Sequence, residues 1–174
     1  SEMPTLYGSS APTRTGYTFN GWYDAQTGGN RYYYPAGSSA RTWDKTADTT
    51  LYAQWTPRNY VIRLYSNWAT NSSGTTQLYT TYDTSVYLDS NRSQVMTTSA
   101  NPVTKPTRNG YTFAGYYSGS GGTGTEYINA DGYITSAGLS AGKVCNSCYW
   151  YARWTGNPYT VSFDANGGTG GQTD

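Results

Sequence analysis

Alternating apolar and polar positions predict short β-strands along most of the chain. In residues 60–65, Tyr60, Ile62 and Leu64 occupy every second position, which places them on one face of an extended segment. The same alternation occurs at residues 17–20, 51–55 and 159–164, and residues 78–82 are a further strand candidate. No segment has a convincing helical period, although residues 90–98 are compatible with a short helix or turn. The pattern therefore predicts a mostly β fold, α+β at most, with low helix content.

Several stretches of the sequence occur twice with few changes. Residues 12–19, 51–56 and 60–64 recur at residues 106–113, 150–155 and 159–163. Between its first two motifs the second copy has extra Gly and Ser residues and the sequence CNSC, and insertions of this kind normally lie in surface loops. Gly21 and Gly115 interrupt their strands at the same position, as a β-bulge or a close approach by another strand or ring would. Self-similarity in this order indicates a tandem-repeat architecture.

The order of the motifs predicts one whole module and parts of two others. Residues 57–155 hold a complete cycle, from an entry strand at the start to an aromatic exit strand at the end. Residues 1–56 lack the entry strand and are predicted to be the C-terminal part of one module. Residues 156–174 are predicted to be the N-terminal strand of a following module. This strand is expected to complete residues 1–56 in the same chain or, as a swapped strand, in another copy; the sequence leaves both open.

The amino-acid composition argues against some classes of binding partner. Only 12% of the residues are charged, with 11 Lys and Arg against 10 Asp and Glu, so no long-range field would attract nucleic acid. No apolar run is long enough to span a bilayer, so direct membrane insertion is not expected. The chain has 20 Tyr and 6 Trp, which bury a large area per side chain and carry a polar tip. We therefore predict a core that is aromatic rather than rich in leucine.

The residues that usually carry chemistry are scarce. There is no histidine, which is the commonest general acid or base, and the carboxylates are scattered without a paired spacing. Cys145 and Cys148 form a C-x-x-C motif, which can be a redox dithiol, half of a zinc site or a local disulfide. Two cysteines alone do not supply four zinc ligands, and the βαβ context of a redox motif is missing, so a disulfide is favoured. We expect no enzyme activity, no catalytic residue, no metal site and no cofactor.

Three phrases in this order resemble the Listeria/Bacteroides repeat, the B-repeat of internalin-type surface proteins. They are PTRTGYTFNGWY from residue 12, TADTTLYAQWT from residue 46 and YTVSFDANGGTGGQ from residue 159. The resemblance implies tandem β-grasp-like modules in a secreted or cell-wall-attached bacterial protein, acting as stalk, spacer or adhesion module. The family usually carries a short helix, which the pattern does not show here. Tyr116 stands where the first copy has Trp22, and the complete unit is longer than the usual repeat.

The aromatic residues of the repeated motifs have two interpretations. As a structural core motif they hold each module together, and this set is Tyr17, Phe19, Trp22, Trp55, Tyr111, Phe113 and Trp154. Alternatively, exposed Tyr and Trp form a carbohydrate-binding platform, because rings in residues 32–34 and 148–151 point to both faces of a strand. Expected partners are neighbouring repeats, a host or bacterial surface protein or glycan, and a strand-swapped second copy. No ligand-binding residue is identified from the sequence.

The proposed disulfide is tested by counting free thiols in freshly secreted protein under denaturing, non-reducing conditions. We expect no reactive thiol before reduction and two after it, because extracellular proteins fold under oxidising conditions. Two reactive thiols before reduction would contradict the pairing.

Overall fold

The computed structural model describes residues 3–6, 11–70 and 74–171. Parts of the predicted terminal modules, residues 1, 2, 7–10 and 172–174, lie outside these ranges. The secondary structure elements, in chain order, are β1 (Tyr17–Tyr23), β2 (Arg31–Tyr33), β3 (Tyr52–Pro57), β4 (Asn59–Tyr65), β5 (Gln77–Thr81), β6 (Ser85–Tyr87), β7 (Tyr111–Gly119), β8 (Thr123–Ile128), α1 (Ser136–Lys143) and β9 (Cys148–Gly156). The predominance of strands confirms the predicted mostly β class.

The strands form two separate sheets. The first has the order β2-β1-β3 and is antiparallel throughout, and the second has the order β6-β5-β4-β9-β7-β8. In the second sheet β4 and β9 run parallel, while the other neighbouring strands are antiparallel. β3 ends at Pro57 and β4 begins at Asn59, so the change of sheet falls at Arg58. We call the part before Arg58 the first module and the part after it the second module.

The repeated motifs adopt the same pairing in both modules. In the first, Phe19 pairs with Trp55 across β1 and β3, and in the second Phe113 pairs with Trp154 across β7 and β9. The rings of each pair are in contact, with centroids 5.2 and 5.7 Å apart. Aromatic pairs of this kind add about 0.5–1.5 kcal/mol each beyond the area they bury. Similar sequence therefore produces similar register in two separate sheets.

A glycine bulge interrupts the first strand of each motif. Gly21 has φ of 115° and Gly115 has φ of 113°, values that disfavour any residue with a Cβ. A Cβ on Gly21 would also overlap the carbonyl oxygen of Tyr33, and one on Gly115 would overlap that of Ile128. The register shifts at both positions, as expected for a bulge. Each glycine thus lets β1 or β7 approach its hairpin partner while the strand bends.

The sequence pattern failed to predict helix α1, which lies on one face of the six-stranded sheet. Its sequence SAGLSAGK contains Gly138 and Gly142, and glycine costs up to about 1 kcal/mol relative to alanine in a helix. Packing requires them, because a Cβ would overlap the Tyr127 carbonyl at Gly138 and the Val86 side chain at Gly142. Thr135 caps the N-terminus by accepting a hydrogen bond of 3.0 Å from the Gly138 amide. Tertiary contact therefore outweighs propensity in this helix.

Residues 90–98, where a short helix or turn was compatible with the sequence, form turns and isolated bridges. One bridge joins Val95 to Tyr87 at the end of β6.

A mixed sheet covered on one face by a single short helix is consistent with the β-grasp-like module that the family resemblance implies.

The main core lies between α1 and the six-stranded sheet. Trp150 is at its centre, 2% exposed, with its ring 4.9 Å from that of Tyr127. Tyr116, Ile62 and Leu78 are completely buried in the same cluster. The first module has a much smaller cluster, in which Met3, Tyr32 and Tyr33 are buried and Trp22, Trp43 and Leu51 pack around them. Unequal cores imply that the second module is the more stable of the two.

The predicted core-motif residues are buried to different degrees. Phe113 is in the core at 7% exposure, whereas Phe19, Trp22, Trp55 and Trp154 are half-buried. Tyr17 is also half-buried, and Tyr111 is 40% exposed and outside the core. The indole N–H of Trp154 donates a hydrogen bond of 2.9 Å to the Ser66 carbonyl, which fixes the position of the ring. The fully buried Trp150 and Tyr116 were not in the predicted set.

Residues 159–164, predicted to be a strand, are not part of either sheet. Tyr159, Val161 and Phe163 are 76%, 70% and 72% exposed. A strand is stable only when a neighbouring edge accepts its backbone hydrogen bonds, and within the described ranges this segment follows β9 without such an edge. Its apolar face is therefore left in solvent.

Replacing Trp150 by alanine should lower the free energy of unfolding by about 3–5 kcal/mol, because the change leaves a large cavity in the core. The matched control is Trp68→Ala, since Trp68 is 73% exposed and should cost less than about 1 kcal/mol. Urea denaturation followed by circular dichroism measures both values. Equal losses for the two variants would contradict the assigned core.

Candidate functional site

The two modules meet around the ring of Tyr82, in the turn that joins β5 to β6. Gly16, just before β1, lies directly against this ring and has φ of 78°. A Cβ at Gly16 would overlap the Tyr82 ring atoms, so only glycine permits the contact. We call the set Gly16, Tyr17, Tyr60, Tyr82 and Asp83 the junction.

Aromatic and polar contacts both contribute to the junction. The Tyr82 ring packs edge-on against Tyr17, with centroids 5.7 Å apart, and against Tyr60 at 6.3 Å. The Tyr17 hydroxyl donates a hydrogen bond of 3.0 Å to Asp83 Oδ2. Desolvation and this hydrogen bond raise the pKa of the Tyr17 hydroxyl. The Arg14 guanidinium stacks over the Tyr17 ring, 3.8 Å from its centroid.

Arg58, between the modules, is bound to both of them. Its amide donates to the Gly16 carbonyl at 2.8 Å, and its own carbonyl accepts from the Tyr82 amide at 2.9 Å. Its Nε donates to Thr18 Oγ1 at 3.2 Å. The connecting residue therefore has both backbone polar groups and its side chain held by hydrogen bonds, which is unlike a flexible linker.

The far end of the second module repeats half of this junction. Gly110 has φ of 77°, and its carbonyl accepts from the Asn157 amide at 2.9 Å, as that of Gly16 does from Arg58. Arg108 stacks over Tyr111 at 3.6 Å, as Arg14 does over Tyr17. No ring occupies the position of Tyr82 in the described residues, and the atom nearest to a Cβ on Gly110 is the Tyr159 hydroxyl at 3.7 Å. The second module thus presents a junction surface that is only partly covered.

The face of the six-stranded sheet opposite α1 carries a group of tyrosines. Tyr65 on β4 stacks on Tyr151 of β9, with centroids 5.6 Å apart and planes 27° apart, and Tyr149 lies 5.5 Å from Tyr65. Tyr65 and Tyr149 are 52% and 44% exposed. Tyr117 on β7 is the cross-strand partner of Tyr151 and continues the row. We call Tyr65, Tyr117, Tyr149 and Tyr151 the tyrosine face.

Charged groups border the tyrosine face at Tyr117. Its hydroxyl donates a hydrogen bond of 3.1 Å to Glu126 Oε1, and burial together with the negative charge of Glu126 raises its pKa. Arg153 lies 5.2 Å from the Tyr117 ring centroid. A flat row of rings with polar groups at its edge can stack against a planar or ring-shaped ligand.

The acidic residues with perturbed pKa values have structural partners. Asp24 accepts hydrogen bonds from Lys45 Nζ at 2.7 Å and from the Asn30 amide at 2.7 Å, which lower its pKa to about 2. Tyr32 donates to Asp44, and this bond lowers the pKa of the Asp44 carboxyl. Among the described residues, no group of three His, Cys, Asp or Glu side chains could hold a metal ion. These carboxylates therefore stabilise the loops of the first module.

The structure joins Cys145 and Cys148 in a disulfide between α1 and β9. Cys145 is 2% exposed and belongs to the main core, so the bridge is part of the packed module rather than an exposed reactive pair.

Some residues of these surfaces were predicted from the sequence and others were not. The motif residues Tyr17 and Tyr111 do occupy the junction and its counterpart, although the motif was interpreted as core. Tyr82 and Asp83 were missed, because a turn residue gives no period that marks it as a contact. Residues 148–151 were correctly expected to carry rings on both faces, and Trp150 points into the core while Tyr149 is exposed.

The sequence is similar to a known family of repeat domains. The model of the Listeria-Bacteroides repeat domain matches residues 4–54 and 89–139, together more than half of the chain. Internalin H of Listeria monocytogenes is 31% identical over 131 residues, which are 75% of this chain and 19% of that protein. A protein of Evansella cellulosilytica named "Putative Gly-rich membrane protein" is 30% identical over 160 residues, 90% of this chain and 16% of that protein.

The chain thus spans less than one fifth of the length of these curated relatives. No solved structure matches it. None of the helices in the described ranges has the length and apolar character needed to cross a membrane. One match includes Gly21 with β1 and β2, and the other includes Gly115 with β7 and β8. The chain therefore belongs to the Listeria-Bacteroides repeat domain family.

Proposed function

We propose that this chain is a non-enzymatic spacer in a bacterial surface protein, in which stiff contacts between successive modules extend the array. The junction is the observation that carries the proposal. Gly16 and Tyr17 contact Tyr82 and Asp83 through rings, a hydrogen bond and the doubly bonded Arg58 backbone. Modules held in this way transmit orientation from one to the next, which a stalk requires.

Three further observations support a location outside the cell. The relatives include an internalin and a protein named as a membrane protein. The disulfide suits an oxidising environment. The chain has few charged residues, 12%, and is rich in Tyr, Thr, Ser and Gly. None of these features needs a cofactor or a reacting group.

A second candidate function is carbohydrate binding by the tyrosine face. The specific observation is the exposed, stacked arrangement of Tyr65, Tyr149 and Tyr151 on a sheet face that α1 does not cover. Sugar rings pack on flat aromatic surfaces of this kind, and bordering groups such as Glu126 supply hydrogen-bond acceptors. In this case the array would present an adhesive surface as well as length.

The spacer proposal is tested by substituting Gly16→Val, which forces a side chain into the Tyr82 ring. In the wild type, residual dipolar couplings from both modules should fit one common alignment tensor, because the modules tumble as a unit. In the variant we expect two different tensors. The matched control is Gly110→Val, which has the same backbone strain at φ 77°, but there a Cβ would come no closer than 3.7 Å to a described atom outside its chain neighbours, the Tyr159 hydroxyl. A wild type that already needs two tensors would contradict a stiff junction.

The carbohydrate candidate is tested by titrating the chain with cell-wall and host polysaccharides and following intrinsic tryptophan and tyrosine fluorescence. Binding to the tyrosine face should weaken at least about tenfold in Tyr65→Ala and Tyr149→Ala, since truncating an aromatic residue at the centre of a binding site costs about 2 kcal/mol or more. Tyr159→Ala is the control, because Tyr159 is exposed but lies outside the sheet. Undiminished binding in the first two variants would reject this surface as the site.

A further inference from the structure

A groove of about 490 Å³ lies on the second module beside the end of β9. Trp68, from the loop after β4, and Arg108, from the segment before β7, line it together with Arg153 and Trp154 of β9. The β7–β8 hairpin supplies residues 121–124. No Asp or Glu of the described residues belongs to this lining. We call Trp68, Arg108, Arg153, Trp154 and residues 121–124 the arginine groove.

The first module has a groove at the equivalent place, with a volume of about 340 Å³. Arg14 and Gln54 line it, at the positions that Arg108 and Arg153 have in the second copy of the motifs. Every residue that lines this groove belongs to the first module, although the second module is docked at the junction. Docking of a following module therefore leaves a groove of this kind open.

The two copies differ at one position that faces the groove. In the first copy, Gln54 Nε2 donates hydrogen bonds to the carbonyls of Ala25 and Gly28, at 3.0 and 2.6 Å, so its side chain holds the neighbouring turn. Arg153 in the second copy is exposed, lies 5.2 Å from the Tyr117 ring centroid and forms no ion pair with a described residue. The second copy thus has a cation where the first has a side chain that supports a turn.

Trp68 has a backbone conformation that a later copy of the repeat gives to glycine. Asn67 and Trp68 have φ of 41° and 63°, and at the same positions after the later copy of β4, Asn166 and Gly167 have φ of 46° and 86°. Positive φ at two successive residues is typical of an Asn-Gly turn and disfavours a bulky side chain. The Trp68 side chain gains little from packing, because it is 73% exposed. A strained, exposed tryptophan indicates a role in recognition.

Two hydrogen bonds hold the Trp68 loop against β9. The Trp154 indole N–H donates to the Ser66 carbonyl at 2.9 Å, and Asn67 Nδ2 donates to the Ala152 carbonyl at 2.7 Å. The backbone on the N-terminal side of Trp68 is therefore fixed, and the exposed ring is carried by an ordered loop.

Arg108 lies between two aromatic rings. Its guanidinium carbon is 3.6 Å from the centroid of Tyr111 and 5.6 Å from that of Trp68. Within the described ranges it forms no ion pair. The groove therefore combines an exposed ring with two guanidinium groups that have no carboxylate partner there, in an arrangement that exists before a ligand binds.

We propose that the arginine groove binds a carboxylate-bearing sugar, a hexuronic acid unit of an acidic polysaccharide. The sugar ring stacks on the exposed face of Trp68, and carboxylates of this unit and its neighbour pair with Arg108 and Arg153. A planar guanidinium matches the geometry of a carboxylate and binds it through two parallel hydrogen bonds. An acidic ligand is favoured over a neutral one because it neutralises both cations. This function is additional to the two proposed above and depends on neither of them.

The ligand class is tested by titrating the full chain with digalacturonate and following the indole N–H signal of Trp68 by NMR. We expect digalacturonate to bind at least about tenfold more tightly than its dimethyl ester, which keeps the rings without the charge, and than acetate, which has the charge without a ring. Equal binding of the ester or of acetate would overturn the ligand class. No shift of the Trp68 signal up to about 10 mM digalacturonate would overturn the proposal itself.

Two substitutions test the groove by introducing the residues that other copies of the repeat carry. Trp68→Gly and Arg153→Gln should each weaken binding of digalacturonate at least about tenfold, because each removes a central contact. Both variants should keep the circular dichroism of the wild type, since both side chains are exposed and glycine suits φ of 63°. The loss of one indole signal in Trp68→Gly also assigns the resonance.

Arg14→Gln is the matched control, because it removes the equivalent arginine of the first module and should leave the affinity unchanged. Tyr65→Ala, which tests the tyrosine face, should also leave it unchanged, so the two surfaces are tested separately. Unchanged affinity in Trp68→Gly or in Arg153→Gln, or an equal loss in either control, would overturn the assignment of the groove.

Discussion

Trp150 lies at the point where β4, β9 and α1 converge, and the second module depends on this contact. The parallel pairing of β4 with β9 brings Leu64 beside Trp150, and Gly142 lets the helix approach both strands. Residues from the beginning and the end of the module are thereby buried together. The entry strand β4 therefore closes the core of the second module.

The two copies of the repeated motif have different surroundings. Gly16 and Tyr17 are covered by Tyr82 of the second module. Gly110 has nearly the same φ as Gly16, and Arg108 stacks on Tyr111 as Arg14 does on Tyr17, but among the described residues no ring covers Gly110. The backbone conformation of the motif therefore does not depend on the covering ring.

Much of the fold could be predicted because strand pairing within a motif is local and repeated. The alternation in residues 60–64 and 78–82 correctly indicated strands, and the paired glycines correctly indicated bulges. Helix α1 could not be predicted, because Gly138 and Gly142 are there to fit against Tyr127 and Val86 rather than to favour a helix. The candidate surfaces could be predicted only in part. The motif tyrosines were identified from the sequence. The contact between Tyr17 and Tyr82 was not, because Tyr82 is distant in sequence and belongs to the other module.

By itself the sequence determined the β class, the repeat, its family resemblance and the side of each strand that carries apolar residues. Only the tertiary structure decided which of those sides is covered. Period two separates two faces but does not say where a helix or a neighbouring module will lie, so Trp150 is buried while Tyr149 and Tyr65 remain exposed. The alternation at residues 159–164 likewise predicted a strand, but this segment lies outside both sheets, because alternation does not specify a pairing edge.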